Sequence, residues 1–471
     1  MAHPEIIQGG MGVGVSDWRL AREVSIRGGL GVVSGTALDA VFVRRLQQGD
    51  QGGHLRRGLA AFPAQDIAQR ILDTYYNPEG DESFHDFSQL PLYTQKPDDL
   101  LVSLTVAANF VEVFLAKEGH SGEVGINFLE KIQMPNPASV YGAMLAGVDY
   151  ILVGAGIPVE FPAMLDRFAA GQAAELKLHV EGAQKGELYT ISFDPSALFH
   201  GNATELKRPK FLAIVSSFIL AATMAKKVEG VDGLVLENHT AGGHNAPPRG
   251  KLQLNDRGEP VFGPKDEIDY KKISSLGLPF WIAGGYSMPG SLQAAKAEGA
   301  KGIQVGSVFA FCKESGILSS LKQQFLKAVE AGKNLVFTDP FASPTGFPFK
   351  LALVEKTLSN AAEYLERKRI CNLGYLRKIY KKDDGTLGYR CPAEPVDSFI
   401  SKGGAEEEVQ GRKCLCNALL ANIGLAKEYV RGYMEKPLLT VGECIDSIKL
   451  MIARKGREYA AADVMSMLTD S

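Results

Sequence analysis

Short apolar runs alternate with helical patterns through the first two-thirds of this 471-residue chain. The alternation predicts an α/β fold built from βα units, because parallel strands buried on both faces have nearly continuous apolar sequences. Eight runs are predicted as strands: Glu5–Gln8, Leu30–Ser34, Glu123–Phe128, Tyr150–Val153, Phe211–Val215, Gly233–Glu237, Phe280–Ala283 and Gly302–Val305. Eight strands with intervening helices favour a (β/α)8 TIM barrel. An open doubly wound sheet fits the same strand count and stays open at this point.

Two insertions and a C-terminal segment depart from this rhythm. The barrel is predicted over 1–330, with insertions at about 36–122 and 173–208. Within the second insertion, Leu176–Val180 and Leu188–Phe193 are predicted to form a hairpin. Residues 340–471 are predicted to form a mostly helical appendage.

Local signals predict where several helices begin and end. Ser16 is expected to cap the first helix, which Gly28-Gly29 ends. Pro289 is expected near the start of a helix that runs to Gly299. Thr440-Val441-Gly442-Glu443 has the pattern of a capping box, so it predicts the start of a C-terminal helix.

Charge and hydropathy exclude several classes of partner. The net charge is −3 and there is no long basic run, which argues against nucleic acid. The apolar stretches singled out, such as Phe211–Ala225, are too short to span a bilayer, so no membrane association is expected. The N-terminal residues lack the pattern of a secretory signal. Six cysteines in so long a chain do not suggest a disulfide framework, and a cytoplasmic location is expected.

Glycines follow the last two predicted strands. Gly284-Gly285 comes directly after one strand, and Gly306-Ser307 after the next. In (β/α)8 enzymes these two loops commonly bind phosphate through backbone N–H groups. The alternative is that both glycine pairs simply form tight turns without binding a ligand. The first loop, Gly9–Gly14, is a poor dinucleotide fingerprint because no acidic residue ends the second strand; it suits a flat ring better.

Several motifs, taken in order, resemble the nitronate monooxygenase family, formerly called 2-nitropropane dioxygenases, which is related to the flavin-dependent enoyl-acyl-carrier-protein reductases. The matching segments are IIQGGMGVGVS, GGLGVVSG, VGINF, GLVLENHTAGGHN, LPFWIAGGY and GAKGIQVGSVFAFCKES, spread over roughly residues 5–320. The resemblance implies an FMN-binding (β/α)8 barrel. Two departures stand out. The eighth-strand motif usually ends Gly-Thr-Arg-Phe and here ends Gly306-Ser307-Val308-Phe309. The loop after His244 continues Asn245-Ala246-Pro247-Pro248-Arg249, whereas simpler members of the family usually have glycine soon after the histidine.

The resemblance also implies roles for individual residues. Flavin-ring contacts fall on Gly10, Met11 and Gly12, a flavin hydrogen bond on Asn127, cofactor packing on Gly242 and Gly243, and phosphate binding on Gly284, Gly285, Gly306 and Ser307, with Gln304 nearby. His244 matches the family's active-site histidine, and histidine can exchange a proton near neutral pH. His239, on the same loop, is the rival candidate.

The resemblance implies an oxidoreductase that oxidises nitronates or nitroalkanes with O2. An NAD(P)H-dependent enoyl-thioester reductase of fatty-acid or polyketide synthesis uses the same scaffold, and a non-catalytic flavin-binding protein is a third reading. The expected partner is a small molecule, or an acyl thioester in the reductase reading. A homo-oligomer is left open.

Four of the six cysteines fall in the C-terminal segment, at Cys371, Cys391, Cys414 and Cys416. The Cys414-Leu415-Cys416 spacing differs from the usual C-x2-C zinc pair, although four thiolates could also hold an iron–sulfur cluster. Ordinary buried thiols are the expectation, and no metal is predicted.

Overall fold

Eight parallel strands close into a barrel in this computed structural model, which describes residues 3–199, 205–333 and 335–470. The first strand pairs both with the second strand and with the last one, so the open-sheet alternative is excluded. Each of the eight predicted strands is confirmed, with both ends within one residue of the prediction.

The strands are numbered in chain order, and the barrel uses β1, β2, β3, β4, β8, β9, β11 and β12. Their bounds are β1 Ile6–Gln8, β2 Leu30–Ser34, β3 Val124–Leu129, β4 Tyr150–Gly154, β5 Ala174–Lys177, β6 Val180–Glu181, β7 Thr190–Phe193, β8 Lys210–Val215, β9 Gly233–Glu237, β10 Gly243–His244, β11 Phe280–Ala283, β12 Gly302–Val305, β13 Val336–Asp339, β14 Phe349–Ala352, β15 Lys378–Lys381, β16 Leu387–Arg390, β17 Glu428–Tyr429 and β18 Tyr433–Met434.

The α-helices lie between and after these strands. Their bounds are α1 Trp18–Ile26, α2 Leu38–Gln47, α3 His54–Ala60, α4 Gln65–Tyr75, α5 Asp99–Lys117, α6 Asn136–Leu145, α7 Phe161–Ala169, α8 Phe218–Lys227, α9 Tyr270–Ser274, α10 Ser291–Ala297, α11 Ser307–Ala310, α12 Ser319–Glu330, α13 Ala361–Leu365, α14 Val396–Ser401, α15 Leu415–Ala421, α16 Asp446–Lys455 and α17 Ala461–Thr469.

The barrel interior is a packed apolar core. Its buried side chains are Ile7, Leu30, Val32, Tyr150, Leu152, Leu212, Val235, Trp281 and Ala283. The indole N–H of Trp281 donates to the carbonyl of Pro4 at 2.7 Å, so this large ring is buried without leaving a polar group unpaired. A filled interior leaves the ends of the strands as the place for a ligand.

The first insertion carries α2 to α5 between β2 and β3. One of these helices, α5 (Asp99–Lys117), is long and apolar enough to cross a membrane by length and composition, but 72% of its apolar window is buried inside the protein. It packs against α1, α2, α3 and α6. Burial in the fold therefore explains the apolar character of α5. The sequence prediction did not single out this helix.

The second insertion forms the predicted hairpin, with β5 antiparallel to β7 and Leu176 opposite Ile191. Val180 leaves this hairpin, because β6 pairs with β15 of the C-terminal segment.

Three predicted helix ends differ in the structure. The carboxylate of Asp17, and not Ser16, caps α1 by accepting from the backbone N–H groups of Arg19 and Leu20. The helix predicted from Pro289 to Gly299 is shorter and follows Gly290. No helix starts at Thr440, because α16 begins only at Asp446 and the hydroxyl of Thr440 accepts from the backbone N–H of Gly243 at 2.6 Å.

The segment from 340 onward differs from the mostly helical appendage predicted. It contains β14 to β18 besides five short α-helices, and two of its strands pair with strands from earlier in the chain. Strand β14 pairs with β10, which contains His244, and β15 pairs with β6. The segment therefore forms part of the barrel's ligand-binding end.

Candidate active site

A cavity of about 520 Å³ lies at the carboxyl ends of the barrel strands. All twelve residues that the sequence singled out line it: Gly10, Met11, Gly12, Asn127, Gly242, Gly243, His244, Gly284, Gly285, Gln304, Gly306 and Ser307. The volume is in the range of small-molecule and cofactor sites. Residues separated by almost 300 positions in the chain therefore meet at one place.

The loop after β1 is held in shape by Ser16. The Ser16 hydroxyl accepts from the backbone N–H of Met11 at 2.9 Å and donates to the carbonyl of Gly9 at 3.1 Å. At Gly10 a Cβ atom would lie 2.5 Å from the Cβ of Asn127, and Gly12 has a φ of +58°. Packing thus requires glycine at position 10, and the left-handed backbone favours it at position 12.

Two side-chain amides on this wall lack protein partners. The Asn127 amide makes no hydrogen bond to any described residue, and the Oε1 atom of Gln304 is buried without a partner. Buried polar groups are nearly always hydrogen-bonded in folded proteins. Both amides are therefore suited to bind a ligand.

Gly284 and Gly285, which follow β11, differ in what surrounds them. Gly284 has a φ of +90°, and a Cβ there would lie 2.2 Å from Oδ1 of Asn238, so packing alone excludes a side chain. Gly285 also has a positive φ, of +78°, but a Cβ there would first meet the Thr240 hydroxyl at 3.5 Å. Gly285 therefore presents its backbone to open cavity space.

The turn after β12 is tied to the C-terminal segment. The Ser307 hydroxyl accepts from the backbone N–H of Gly442 at 2.8 Å, which leaves its own hydrogen free to donate into the cavity. At Gly306 a Cβ would lie 3.3 Å from the sulfur of Met11. None of the described residues that line the cavity is Lys or Arg, so an anion at these turns would depend on N–H and O–H donors.

His244 lies on the cavity wall with one ring nitrogen engaged. Its Nε2 is 2.7 Å from the Ser343 hydroxyl, and its ring meets the edge of Phe349 at 4.8 Å between centroids. The Nδ1 atom has no hydrogen-bond partner among the described residues. Burial, with a smaller contribution from the charge of Lys131, lowers the pKa of His244 to about 4. The imidazole is therefore neutral at pH 7 and able to accept a proton.

The rival histidine is placed differently. The His239 ring stacks on Phe262, with centroids 4.3 Å apart, and it is not among the residues that line the cavity. Its Nδ1 atom is buried without a hydrogen-bond partner among the described residues, but outside the cavity lining. The geometry favours His244 over His239.

The sequence reasoning missed the contribution of the C-terminal segment. Ser343 binds His244, Phe349 packs on it, and Thr440 accepts from the backbone N–H of Gly243. A Cβ at Gly442 would lie 2.9 Å from the carbonyl of Thr240. No local pattern pointed to these contacts, because each partner lies about 100 to 200 residues away from the histidine loop.

Glu237 is a second ionisable group that the sequence reasoning missed. It ends β9, lines the cavity and has no ion-pair or hydrogen-bond partner among the described residues. Burial raises the pKa of this carboxyl to about 7. The available signal was its position: it is the last residue of a barrel strand, where functional side chains of this fold usually lie.

Comparison with known sequences agrees with the barrel and the histidine loop. The profile of the family described as nitronate monooxygenase matches residues 168–345. The match covers 178 of the 471 residues, which is less than half of the chain. This stretch holds β8 to β12, including His244 and both glycine turns, whereas the resemblance in the sequence motifs began near residue 5.

Two curated relatives bear the name probable nitronate monooxygenase. The protein from Bacillus subtilis is 33% identical over 131 residues, which are 28% of this chain and 36% of the relative. The protein from Staphylococcus haemolyticus is 30% identical over 139 residues, or 29% and 37% of the two chains. The aligned stretch thus spans little more than a third of each relative's length.

Solved structures with a similar course of the chain include FabK from Thermotoga maritima, at 16% identity and a TM-score of 0.47, covering 99% of this chain and 92% of that one. Nitroalkane oxidase from Streptomyces ansochromogenes aligns at 15% identity and a TM-score of 0.45, covering 98% and 93%.

Proposed function

We propose that the chain is an FMN-dependent oxidoreductase that oxidises nitronates or nitroalkanes with O2. The observation that carries this proposal is the single cavity in which a neutral histidine with one free ring nitrogen faces two unpaired amides and two glycine turns. The family match over residues 168–345 and the names of the two curated relatives support it.

The residues of the cavity fit FMN. The glycine-rich wall formed by Gly10, Met11 and Gly12 suits an aromatic ring system, and the amides of Asn127 and Gln304 have free hydrogen-bonding atoms. The turns at Gly285 and at Gly306-Ser307 would bind one terminal phosphate through backbone and hydroxyl donors. A single phosphate at these turns favours FMN, which has one, over FAD, which has two.

When bound, the flavin would supply hydride or single-electron transfer. The protein's part is to place the substrate carbon beside it and to move a proton. In this proposal Nδ1 of His244 removes the α-proton of a nitroalkane, or donates a hydrogen bond to a preformed nitronate. Ser343 holds the other nitrogen, so the ring keeps one orientation. Proton removal by Nδ1 requires the tautomer in which Nε2 carries the hydrogen and donates to Ser343. A hydrogen bond from Nδ1 to a nitronate requires the other tautomer, in which the Ser343 hydroxyl donates to Nε2.

The enoyl-thioester reductase remains the second candidate, since it needs the same flavin wall and the same histidine. In that reaction NAD(P)H would reduce FMN and His244 would supply the α-proton. A raised pKa at Glu237 gives this reading a second proton carrier in the cavity. A purely flavin-binding protein would not need an unpaired, neutral histidine.

Anaerobic reduction of the FMN-loaded protein distinguishes these functions. NADH, NADPH and a nitronate are compared side by side, and bleaching of the flavin absorbance is followed. Reduction by the nitronate alone supports the first proposal. Rapid reduction by NAD(P)H without any response to nitronates would favour the reductase, and no reduction by any of the three would favour the binding protein.

A further inference from the structure

Four cysteines of the C-terminal segment meet at one point of the fold. Cys391 and Cys414 are buried in contact with each other, and Cys371 and Cys416 pack against them. They come from three separate places: the loop after α13, the end of β16 and the start of α15. All four line one void of about 10 Å³. The sequence analysis expected ordinary buried thiols and no metal, with an iron–sulfur cluster as the alternative.

The four sulfurs lie in two adjacent pairs. Cys371 lies beside Cys391, and Cys414 beside Cys416. Nδ2 of Asn417 donates to the Cys414 sulfur at 3.5 Å. Such donors stabilise a thiolate, as the hydrogen-bonding partners of metal ligands do.

Charged side chains of both signs lie near the four-cysteine cluster. Arg377 and Glu394 lie near Cys371, and Arg367 lies near Cys414. Arg367 pairs with Glu435 at 3.0 Å, but its side chain is 1% exposed and its Nη1 atom is buried without a hydrogen-bond partner among the described residues. One guanidinium nitrogen near the sulfurs is therefore left without a protein partner.

We propose that Cys371, Cys391, Cys414 and Cys416 bind one divalent, thiophilic metal ion of the zinc class through four sulfurs. Four thiolates and one such ion carry a net charge of −2, which the nearby guanidinium groups of Arg367 and Arg377 offset in part. Each sulfur that enters the coordination shell releases its proton to solvent. The void is about the volume of one water-sized sphere, which suits a single ion and not a four-iron cluster.

Metal binding requires movement of the sulfurs. Among the described residues, no group of three or more His, Cys, Asp or Glu side chains is already arranged as metal ligands. An ion would replace the thiol protons and draw the four sulfurs together across the void.

The cluster adjoins the loop that holds His244. Pro344 lines the void, and the preceding residue, Ser343, is the hydrogen-bond partner of His244. Arg412, two residues before Cys414, donates to the carbonyl of Ser343 at 2.6 Å, and the backbone N–H of Lys413 donates to Ala342 at 2.9 Å. An ion at the cluster would therefore fix the loop that orients the histidine.

The full-length protein tests this proposal through its metal content. Protein purified from cells supplied with zinc should contain about one zinc per chain. After removal of metal under reducing conditions, added Co²⁺ should give the intense thiolate-to-metal absorption of a tetrahedral sulfur site. Cys391→Ser and Cys414→Ser should each reduce bound zinc at least tenfold, whereas Cys312→Ala, a buried cysteine outside the cluster, should keep it.

Wild-type protein settles the question even if a variant fails to fold. Substoichiometric metal together with no Co²⁺ absorption would overturn the proposal. So would disulfides in place of four free thiols, or iron with inorganic sulfide in place of one ion. None of these measurements depends on FMN or on turnover. A negative result for the metal site would therefore leave the proposed function untouched, and failure of the proposed function would leave the metal site untouched.

Discussion

Replacement of His244 by Asn removes the titratable group from the cavity and leaves most of the structure intact. The change loses the 2.7 Å hydrogen bond to Ser343 and the edge contact with Phe349. A hydrogen bond and an aromatic contact each contribute about 0.5–1.5 kcal/mol, so we expect an overall loss of about 1–3 kcal/mol in the free energy of unfolding. The variant should fold and still bind FMN, because the proposed binding groups lie elsewhere.

The same variant should lose turnover. General acid–base assistance typically contributes about 10²–10⁴-fold, and we expect at least a tenfold fall in kcat. The deficit should be larger with neutral nitroalkanes, which need proton removal, than with preformed nitronates. His239→Asn is the matched control, since it removes a histidine from the same loop but away from the cavity, and its turnover should match that of the wild type.

The pH profile of the wild type tests the environment of His244. With a pKa of about 4, only about one molecule in a thousand carries a protonated His244 at pH 7. The rate that depends on the neutral imidazole should therefore stay level from pH 8 down to about pH 5 and fall by half near pH 4. A midpoint near 6.5 would contradict the burial argument. Unchanged turnover in His244→Asn with both substrate classes would remove His244 from the mechanism.

Three further changes test other parts of the molecule. Gly285→Asp should abolish FMN binding in a fluorescence titration, because it places bulk and negative charge at the proposed phosphate turn. The control variant Gly263→Asp, where a Cβ meets nothing within 4 Å, should bind FMN normally. Equal FMN affinity in the two variants would contradict the proposed phosphate site. Because burial raises the folded pKa of Glu237 to about 7, its protonated form adds stability that is complete below the unfolded pKa, near 4.3, and is lost as the pH rises through 7. Glu237→Gln should therefore gain stability over the wild type between pH 5 and pH 8 in denaturant titrations, by at most about 3 kcal/mol since the carboxyl faces the cavity; a difference that does not change with pH would refute this. The fully buried side chain of Lys350 pairs at 2.6 Å with Glu443, which is 44% exposed. Glu443→Gln should lower the free energy of unfolding more than Lys350→Met, because only Glu443→Gln leaves a buried ammonium group without its carboxylate. The reverse order would be inconsistent with this pairing.

The barrel strands and the glycine turns follow from the sequence alone. A buried parallel strand needs a short apolar run, and a turn with positive φ at Gly284 or Gly285 needs glycine, so both leave a local signal. The order of these signals predicted the closed barrel, and all twelve candidate residues line one cavity. Their roles in binding and catalysis stay predictions.

Local patterns were weaker guides beyond the barrel. The Thr440-Val441-Gly442-Glu443 pattern indicated a helix start, but no helix begins there. The Thr440 hydroxyl instead accepts from the backbone N–H of Gly243, 197 residues earlier in the chain. A side chain that can cap a helix can equally accept from a distant N–H group, and spacing along the chain does not distinguish the two.

Only the tertiary structure decided which groups remain unpaired and which converge. The raised pKa of Glu237 depends on its burial, and the neutral state of His244 depends on burial beneath a segment about 100 residues away. The four cysteines are spread over three segments, so their meeting depends on how β16 and α15 pack. Periodicity in a sequence reports which face of an element is buried, whereas the electrostatics of a site depend on what lies across the space between elements.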